Sequence, residues 1–287
     1  MTGQLGRFTT RASRALRMLR THPDLLASKV AARLRARRRA PSGVVDGRIG
    51  EVRFRFDMDL DVRVGEMYRR THSMDVVHAL RHLLNPGDVF IDVGANIGYL
   101  TAVGCDRVGP SGCVVAFEPV PAYATCVQRL ADDNPGYRIE VVPKAVSDRE
   151  GTASIDVSAI GNIGWNTMVP GLMPKSHRAQ TLDVEMVRLD QTLAELEVNN
   201  VTVIKIDVEG FEMSVLKSIK GLWDRGERPT IICEINPYAF ELAGVPRGAL
   251  DQLAKRWGYR AVELFDMRTE VELTSVLLDH GDVLLRA

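Results

Sequence analysis

The sequence predicts an α/β fold built on a mostly parallel, doubly wound sheet, and three observations predict it. Continuous Val/Ile-rich runs at Val89–Val93, Cys113–Phe117, Ile139–Val142, Val201–Ile206 and Thr230–Ile235 have the pattern of strands buried on both faces. Helical stretches near 98–107, 121–134 and 210–222 alternate with these runs, as strand–helix–strand crossovers require. The composition agrees: 287 residues, 45% hydrophobic and 26% charged, suit a domain with a sizeable core and exclude a disordered or fibrous chain.

Charge divides the chain before any motif does. Lys+Arg and Asp+Glu number 37 each, a formal net charge of zero that disfavours nucleic-acid binding through net charge, and no nucleic-acid partner is expected. Residues 1–40 nevertheless hold eleven bases and one acid, Asp24, leaving 26 bases against 36 acids in the remainder. Leu5, Phe8, Ala12, Ala15, Leu16 and Leu19 fall on one side of a helical wheel and Arg7, Arg11, Arg14, Arg17 and Arg20 on the other, so a basic amphipathic helix is expected. A second basic stretch, Lys29–Arg39, ends at the breaker Ala40-Pro41-Ser42-Gly43, which separates a helical extension and linker, 1–43, from a body, 44–287.

Three readings fit the extension: a solvated tail, attachment to an anionic membrane surface, and a mitochondrial transit peptide, since it is Arg-rich and acid-poor. It lacks the apolar core of a secretory signal. The longest charge-free run, Val157–Pro174, contains Pro170, Pro174 and three glycines, so no spanning helix is expected. Cys105, Cys113, Cys126 and Cys233 match no zinc or CxxC spacing and read as free thiols of a reducing compartment, the cytoplasm.

Within the body, Val52, Phe54 and Phe56 alternate with Arg53 and Arg55 as a half-buried strand, and Met67–Leu84 reads as a helix stopped by Asn85-Pro86-Gly87. Thr152–Val157 and Val184–Leu189 read as arms of a β-insertion enclosing a long loop, Ser158–Asp183. Trp165, Asn166 and Met168 are its candidate substrate contacts, and His177 is a candidate mobile base.

The strongest motif is Asp92-Val93-Gly94-Ala95-Asn96-Ile97-Gly98, where an apolar strand runs into an acid, a glycine turn and a helix. A dinucleotide fingerprint is GxGxxG; here the order is Asp-x-Gly-x-x-x-Gly. A carboxylate beside the turn repels a pyrophosphate but pairs with an ammonium, which points to S-adenosylmethionine. Glu118, 26 positions further on at a strand end, has the place of an acid that accepts from ribose hydroxyls.

The segments Phe90–Gly98, Ala116-Phe117-Glu118-Pro119, Lys144-Ala145-Val146-Ser147-Asp148 and Ile204–Glu212 occur in the order and spacing of the FkbM family, which the chain resembles over roughly residues 85–240. The resemblance implies a Rossmann-like class I methyltransferase that uses S-adenosylmethionine, many relatives acting on hydroxyls of sugars, polyketides or glycolipids. It implies that Asp92, Gly94, Asn96 and Gly98 surround the methionine portion and Glu118 holds the ribose. By the same resemblance Pro119 lies against adenine and Ala145 meets its edge, with the adenine amino group left to backbone groups or Asp148. A lipid-borne acceptor would suit an extension held at an anionic membrane.

Lys205, Asp207 and Glu209 alternate with Ile206 and Val208, so a strand would aim all three charges to one side. Asp207 is the first choice for the group nearest the acceptor, with Glu209 and Glu234 next; Lys205 as a salt bridge serving only its neighbours is the structural alternative. Asp207 with Glu209 could instead hold a divalent cation through hard oxygen ligands. Asn236-Pro237-Tyr238 resembles an incomplete Asn-Pro-Pro-Tyr signature of amino-methylating enzymes and is read here as a turn, leaving a nitrogen acceptor, and a fold without turnover, as the rival readings.

Overall fold

The computed structural model describes residues 23–36, 41–159, 163–246, 248–273 and 281–287. The amphipathic helix expected over residues 5–19 and the arginine triplet at 37–39 lie outside the described residues. Helix α1 (Pro23–Ala36) precedes a hairpin of β1 (Val44–Ile49) and β2 (Val52–Asp57), followed by α2 (Val62–Tyr68) and α3 (Met74–Leu83). Strands β3 (Val89–Val93), β4 (Cys113–Phe117) and β5 (Arg138–Val142) enclose α4 (Tyr99–Val108) and α5 (Pro121–Asp133). The insertion comprises β6 (Ala145–Val146), β7 (Gly151–Ser158) and β8 (Arg178–Val187). The second half runs through α6 (Leu189–Glu195), β9 (Val201–Ile206), α7 (Glu212–Ser218), α8 (Lys220–Asp224), β10 (Thr230–Ile235), α9 (Pro237–Leu242), α10 (Ala249–Arg256), β11 (Arg260–Glu263) and β12 (Gly281–Arg286).

The central sheet has the order β11-β12-β10-β9-β3-β4-β5, parallel from β10 to β5 and antiparallel around β12. Both faces are packed, which is why its strands read as unbroken apolar runs. Phe90, Val114, Val203 and Ile232 join one core cluster, while Ile91, Val115, Ile204 and Ile231 join the cluster on the opposite face. Chain order reverses between β3 and β9, so the crevice beyond their carboxyl ends is the topological switch point where open α/β sheets bind ligands.

Several boundaries differ from expectation for identifiable reasons. The helix expected over Met67–Leu84 is two helices, because Arg70 (φ 58°) and Ser73 (φ 44°) take left-handed backbone between them. Asp61 caps α2 by accepting from the Arg63 N–H at 2.7 Å. The stretch 210–222 divides into α7 and α8 at Ile219. Strand β8 begins already at Arg178, shortening the loop, and Leu189 starts α6 rather than ending a strand. The four cysteines are free thiols.

Helix α1 is docked on the body. Leu25 is 2% exposed and packs with Phe265, Lys29 pairs with Asp75 at 2.6 Å, and Arg35 Nε donates to the Arg69 carbonyl at 2.9 Å. Among the described residues no helix is long and apolar enough to cross a membrane.

Candidate active site

A cleft of about 310 Å³ opens at the switch point, within the size range of small-molecule sites. One wall is the turn after β3. Gly94 has φ +81°, and its N–H and that of Ala95 both donate to the Phe117 carbonyl at 3.0 Å, folding the turn over the end of β4. A Cβ on Gly94 would lie 2.0 Å from the Asp207 carbonyl oxygen, so the approach of these two backbones requires glycine. Asn96 also adopts positive φ, 54°, and its side chain is oriented at both ends: Oδ1 accepts from the Ile97 N–H and Nδ2 donates to the Ile163 carbonyl. Gly98, φ 86°, begins α4 against Leu130.

Glu118 follows β4 and lines the cleft while only 5% exposed. Its Oε2 accepts from the Asn96 N–H at 2.8 Å and Oε1 from the Val120 N–H at 2.9 Å. Burial pushes its pKa up to about 7, opposed by those backbone donors. Each carboxylate oxygen has a second lone pair, so the fixed carboxylate retains the acceptor capacity a ribose diol needs. Pro119 and Ala145 line the same cleft, as does Lys144, which is paired with Glu185 at 2.8 Å. Asp148 is not among the lining residues; its Oδ1 accepts from Ser147 Oγ.

Asp92 sits elsewhere than the ammonium-binding expectation placed it. It is 0% exposed, accepts from Thr101 Oγ1 at 2.7 Å and lies 3.5 Å from Lys205 Nζ. Lys205 is its direct register partner on β9, and Lys205 lines the cleft whereas Asp92 does not. Lys205 Nζ donates to the Gly94 carbonyl at 2.8 Å and lies 3.4 Å from Asp207. Burial works against its charge, yet Asp207, Asp92 and Glu234 together hold its pKa above the ordinary lysine value. The ammonium therefore ties the β3 turn to the end of β9.

Asp207, Glu209 and Glu234 meet on the other side of the cleft, each offering a carboxylate oxygen within 4.8 Å of the others. Strand alternation does not produce this meeting, because β9 ends at Ile206. Glu209 arrives through a turn with φ 49°, closed by buried Glu212, whose Oε1 accepts from the Val208 and Gly210 N–H groups at 3.2 and 3.0 Å. Burial opposes ionisation of Asp207, but Lys205 and a hydrogen bond from Glu234 hold its pKa below the usual value. Glu234 is pushed up to about 11 by burial and then by the Asp207 charge. Glu209 is raised to about 8 by burial, then by Asp207 and Glu212. The three oxygens are also a hard donor set that fits Mg²⁺ or Ca²⁺.

The insertion closes the cleft. Ile163 donates its N–H to Asp61 Oδ2 at 2.8 Å, and Thr167 Oγ1 donates to the Glu209 carbonyl at 2.7 Å. Asn166 and Met168 line the cleft, whereas Trp165 does not and instead packs edge-on to His177, ring centroids 5.5 Å apart. His177 is thus outside the site, and the histidine within it is His72, beside Glu66 at 3.6 Å. Burial lowers the His72 pKa, against the pull of Glu66. Sequence reasoning passed over His72 because it lay in an expected helix interior; the Thr71-His72-Ser73 run was the only signal that the helix breaks there. Asn236 caps α9, accepting from the Ala239 N–H at 3.2 Å, which is the turn role expected of Asn-Pro-Tyr.

A strand, glycine turn and helix at a switch point, with a fixed acid after the next strand, define a Rossmann-like methyltransferase site. The model of the methyltransferase FkbM domain matches residues 92–261, and the chain belongs to that family of S-adenosylmethionine-dependent methyltransferases. It is 28% identical over 152 residues to Methyltransferase 1 of Beauveria bassiana, covering 47% of this chain and 59% of the relative. It is 29% identical over 152 residues to the hexuronic acid methyltransferase AglP of Haloferax volcanii, covering 51% of this chain and 56% of the relative. The matches thus span less than two thirds of these relatives' own length. Among solved structures, fibrillarin of Aeropyrum pernix with natively bound S-adenosyl-L-methionine is similar at TM-score 0.43 and 14% identity, over 88% of this chain and 86% of that one.

Proposed function

We propose that the protein methylates a hydroxyl of a sugar, glycolipid or polyketide-type acceptor, with Glu209 taking the acceptor's proton. S-adenosylmethionine, when bound, supplies a methyl group already activated on a sulfonium. Lining residues Gly94, Asn96, Glu118, Pro119 and Ala145 are the groups that would hold it, and Lys205 keeps Gly94 in place. The observation that carries the reading is the convergence of the Asp207, Glu209 and Glu234 carboxyls in the cleft, their oxygens within 4.8 Å of one another, where burial and the Asp207 charge raise Glu209 to about 8. A hydroxyl must shed its proton to become a competent nucleophile, and a base works best with a pKa near the working pH. A neutral amine attacks with its own lone pair and needs no such group, which favours oxygen over nitrogen. Arg63, also lining the cleft, would suit an acidic sugar, the acceptor class in the name of the Haloferax relative.

Glu209→Gln should lower kcat at least about a hundredfold, the usual contribution of a general base. The base form exists above its pKa, so wild-type kcat should rise through about pH 8, and the variant should lose that limb. Retained activity with the limb intact would refute the assignment. A second reading, favoured by the three converging carboxylate oxygens, gives them a divalent cation that supplies a Lewis acid to the same hydroxyl. Dialysis against EDTA separates the two: unchanged turnover supports the base, and loss restored by Mg²⁺ supports the cation.

A further inference from the structure

We propose that Asp24, His78 and His82 form a binding site for a divalent transition-metal ion, with Zn²⁺ the best match, that clamps α1 onto α3. His78 and His82 are one helical turn apart on α3, with ring centroids 4.1 Å apart. Asp24 reaches the same point from the first turn of α1, its Oδ2 3.6 Å from His78 Nδ1 and 3.9 Å from His82 Nε2. One donor atom from each residue lies within 4.8 Å of the other two. Tetrahedral zinc with bonds of about 2.0–2.1 Å places its ligand atoms roughly 3.3 Å apart, so small side-chain rotations close the site.

The hydrogen bonding on α3 explains why a cation belongs there. His82 Nδ1 lies 2.9 Å from the His78 carbonyl oxygen, which can only accept. Nδ1 therefore carries the hydrogen, and the neutral ring presents the lone pair of Nε2. That nitrogen lies 3.9 Å from Asp24 Oδ2, so both can ligate the same ion. An imidazole donating its other N–H to a backbone carbonyl is also the arrangement that orients ligating histidines. His78 is buried, while Asp24 and His82 are open to solvent, which gives an entry path and leaves a fourth position for water. An imidazole–imidazole–carboxylate set suits zinc, with copper and nickel as competitors in solution.

The clamp would reach the methyltransferase cleft. The pocket between α1 and α3 shares His72 and Tyr99 with that cleft, so fixing α1 against α3 fixes one wall of it.

The test uses the full chain, stripped by a chelator and held at pH 7.5, titrated with Zn²⁺ alone in competition with a chromogenic chelator. Wild type should take up one ion with a rise in Tm, and Co²⁺ should give the intense visible bands of a four-coordinate site. His82→Ala and Asp24→Asn, both at exposed positions, should each weaken Zn²⁺ binding about a hundredfold or more and abolish the rise in Tm. Glu209→Gln should leave Zn²⁺ affinity unchanged. No competitive binding by wild type, undiminished binding in both clamp variants, or loss of binding in Glu209→Gln would each overturn the proposal.

Discussion

Lys205→Met is expected to destabilise the protein by about 3–5 kcal/mol, because it strips the counter-charge from a carboxylate that is fully buried. The ammonium serves Asp92, Asp207 and the Gly94 carbonyl at once, so one substitution leaves three acceptors facing one another at the switch point. Methionine keeps the length and apolar stem of lysine, which confines the change to charge and hydrogen bonding. Urea unfolding followed by circular dichroism measures the loss. Asp92→Asn combined with Lys205→Met should recover part of it, since the two sites are in contact and their effects cannot add. A single variant within about 1 kcal/mol of wild type would show that the site's charges are not organised by this lysine.

The second large effect is expected at Gly94. Gly94→Ala puts a methyl group 2.0 Å from the Asp207 carbonyl oxygen at a φ of +81°, so the turn must move away from β9 or the 207–210 turn must open. Left-handed backbone alone costs an L-residue roughly 1–2 kcal/mol, and tenfold in affinity corresponds to about 1.4 kcal/mol. Affinity for S-adenosylmethionine, measured by calorimetry, should therefore fall at least about tenfold. Gly98→Ala is the internal comparison. Its φ of +86° carries the same backbone strain, but its Cβ would come no closer than 3.3 Å to a Leu130 methyl and 3.5 Å to a Val127 methyl. The order of loss should be Gly94 above Gly98, and equal losses would remove the steric argument.

How much of this was legible beforehand depends on how local the cause was. Strands β3, β4, β9 and β10 were legible because each is largely buried and carries its own apolar run, so the period needs no partner to be read, whereas the edge strand β5 is only half-buried. The Gly94 turn and Glu118 were legible because turn and strand end are set within a few residues. Asp92 was placed in the cleft by sequence reasoning, yet the cleft is lined instead by Lys205, a residue 113 positions away that only strand register brings alongside it. Asp207, Glu209 and Glu234 lie together in the structure, and their meeting depends on the left-handed backbone at Glu209 rather than on strand alternation. His72 was hidden by a helix break that two positive-φ residues impose, and nothing in a hydrophobic period reports such a break. Trp165 and His177 pack against each other and do not line the cleft, on a loop tied down through Ile163 and Thr167.

The central claim is methyl transfer from S-adenosylmethionine to a hydroxyl, at the carboxylate side of the switch-point cleft. Incubating the protein with methyl-labelled S-adenosylmethionine and a glycan and lipid extract, then locating the label in the product by mass spectrometry, tests it most directly. The expected result is a labelled methyl ether on a hydroxyl-bearing acceptor, formed by wild type and at least about a hundredfold more slowly by Glu209→Gln. Label found on nitrogen, or transferred equally well by the variant, would contradict the account.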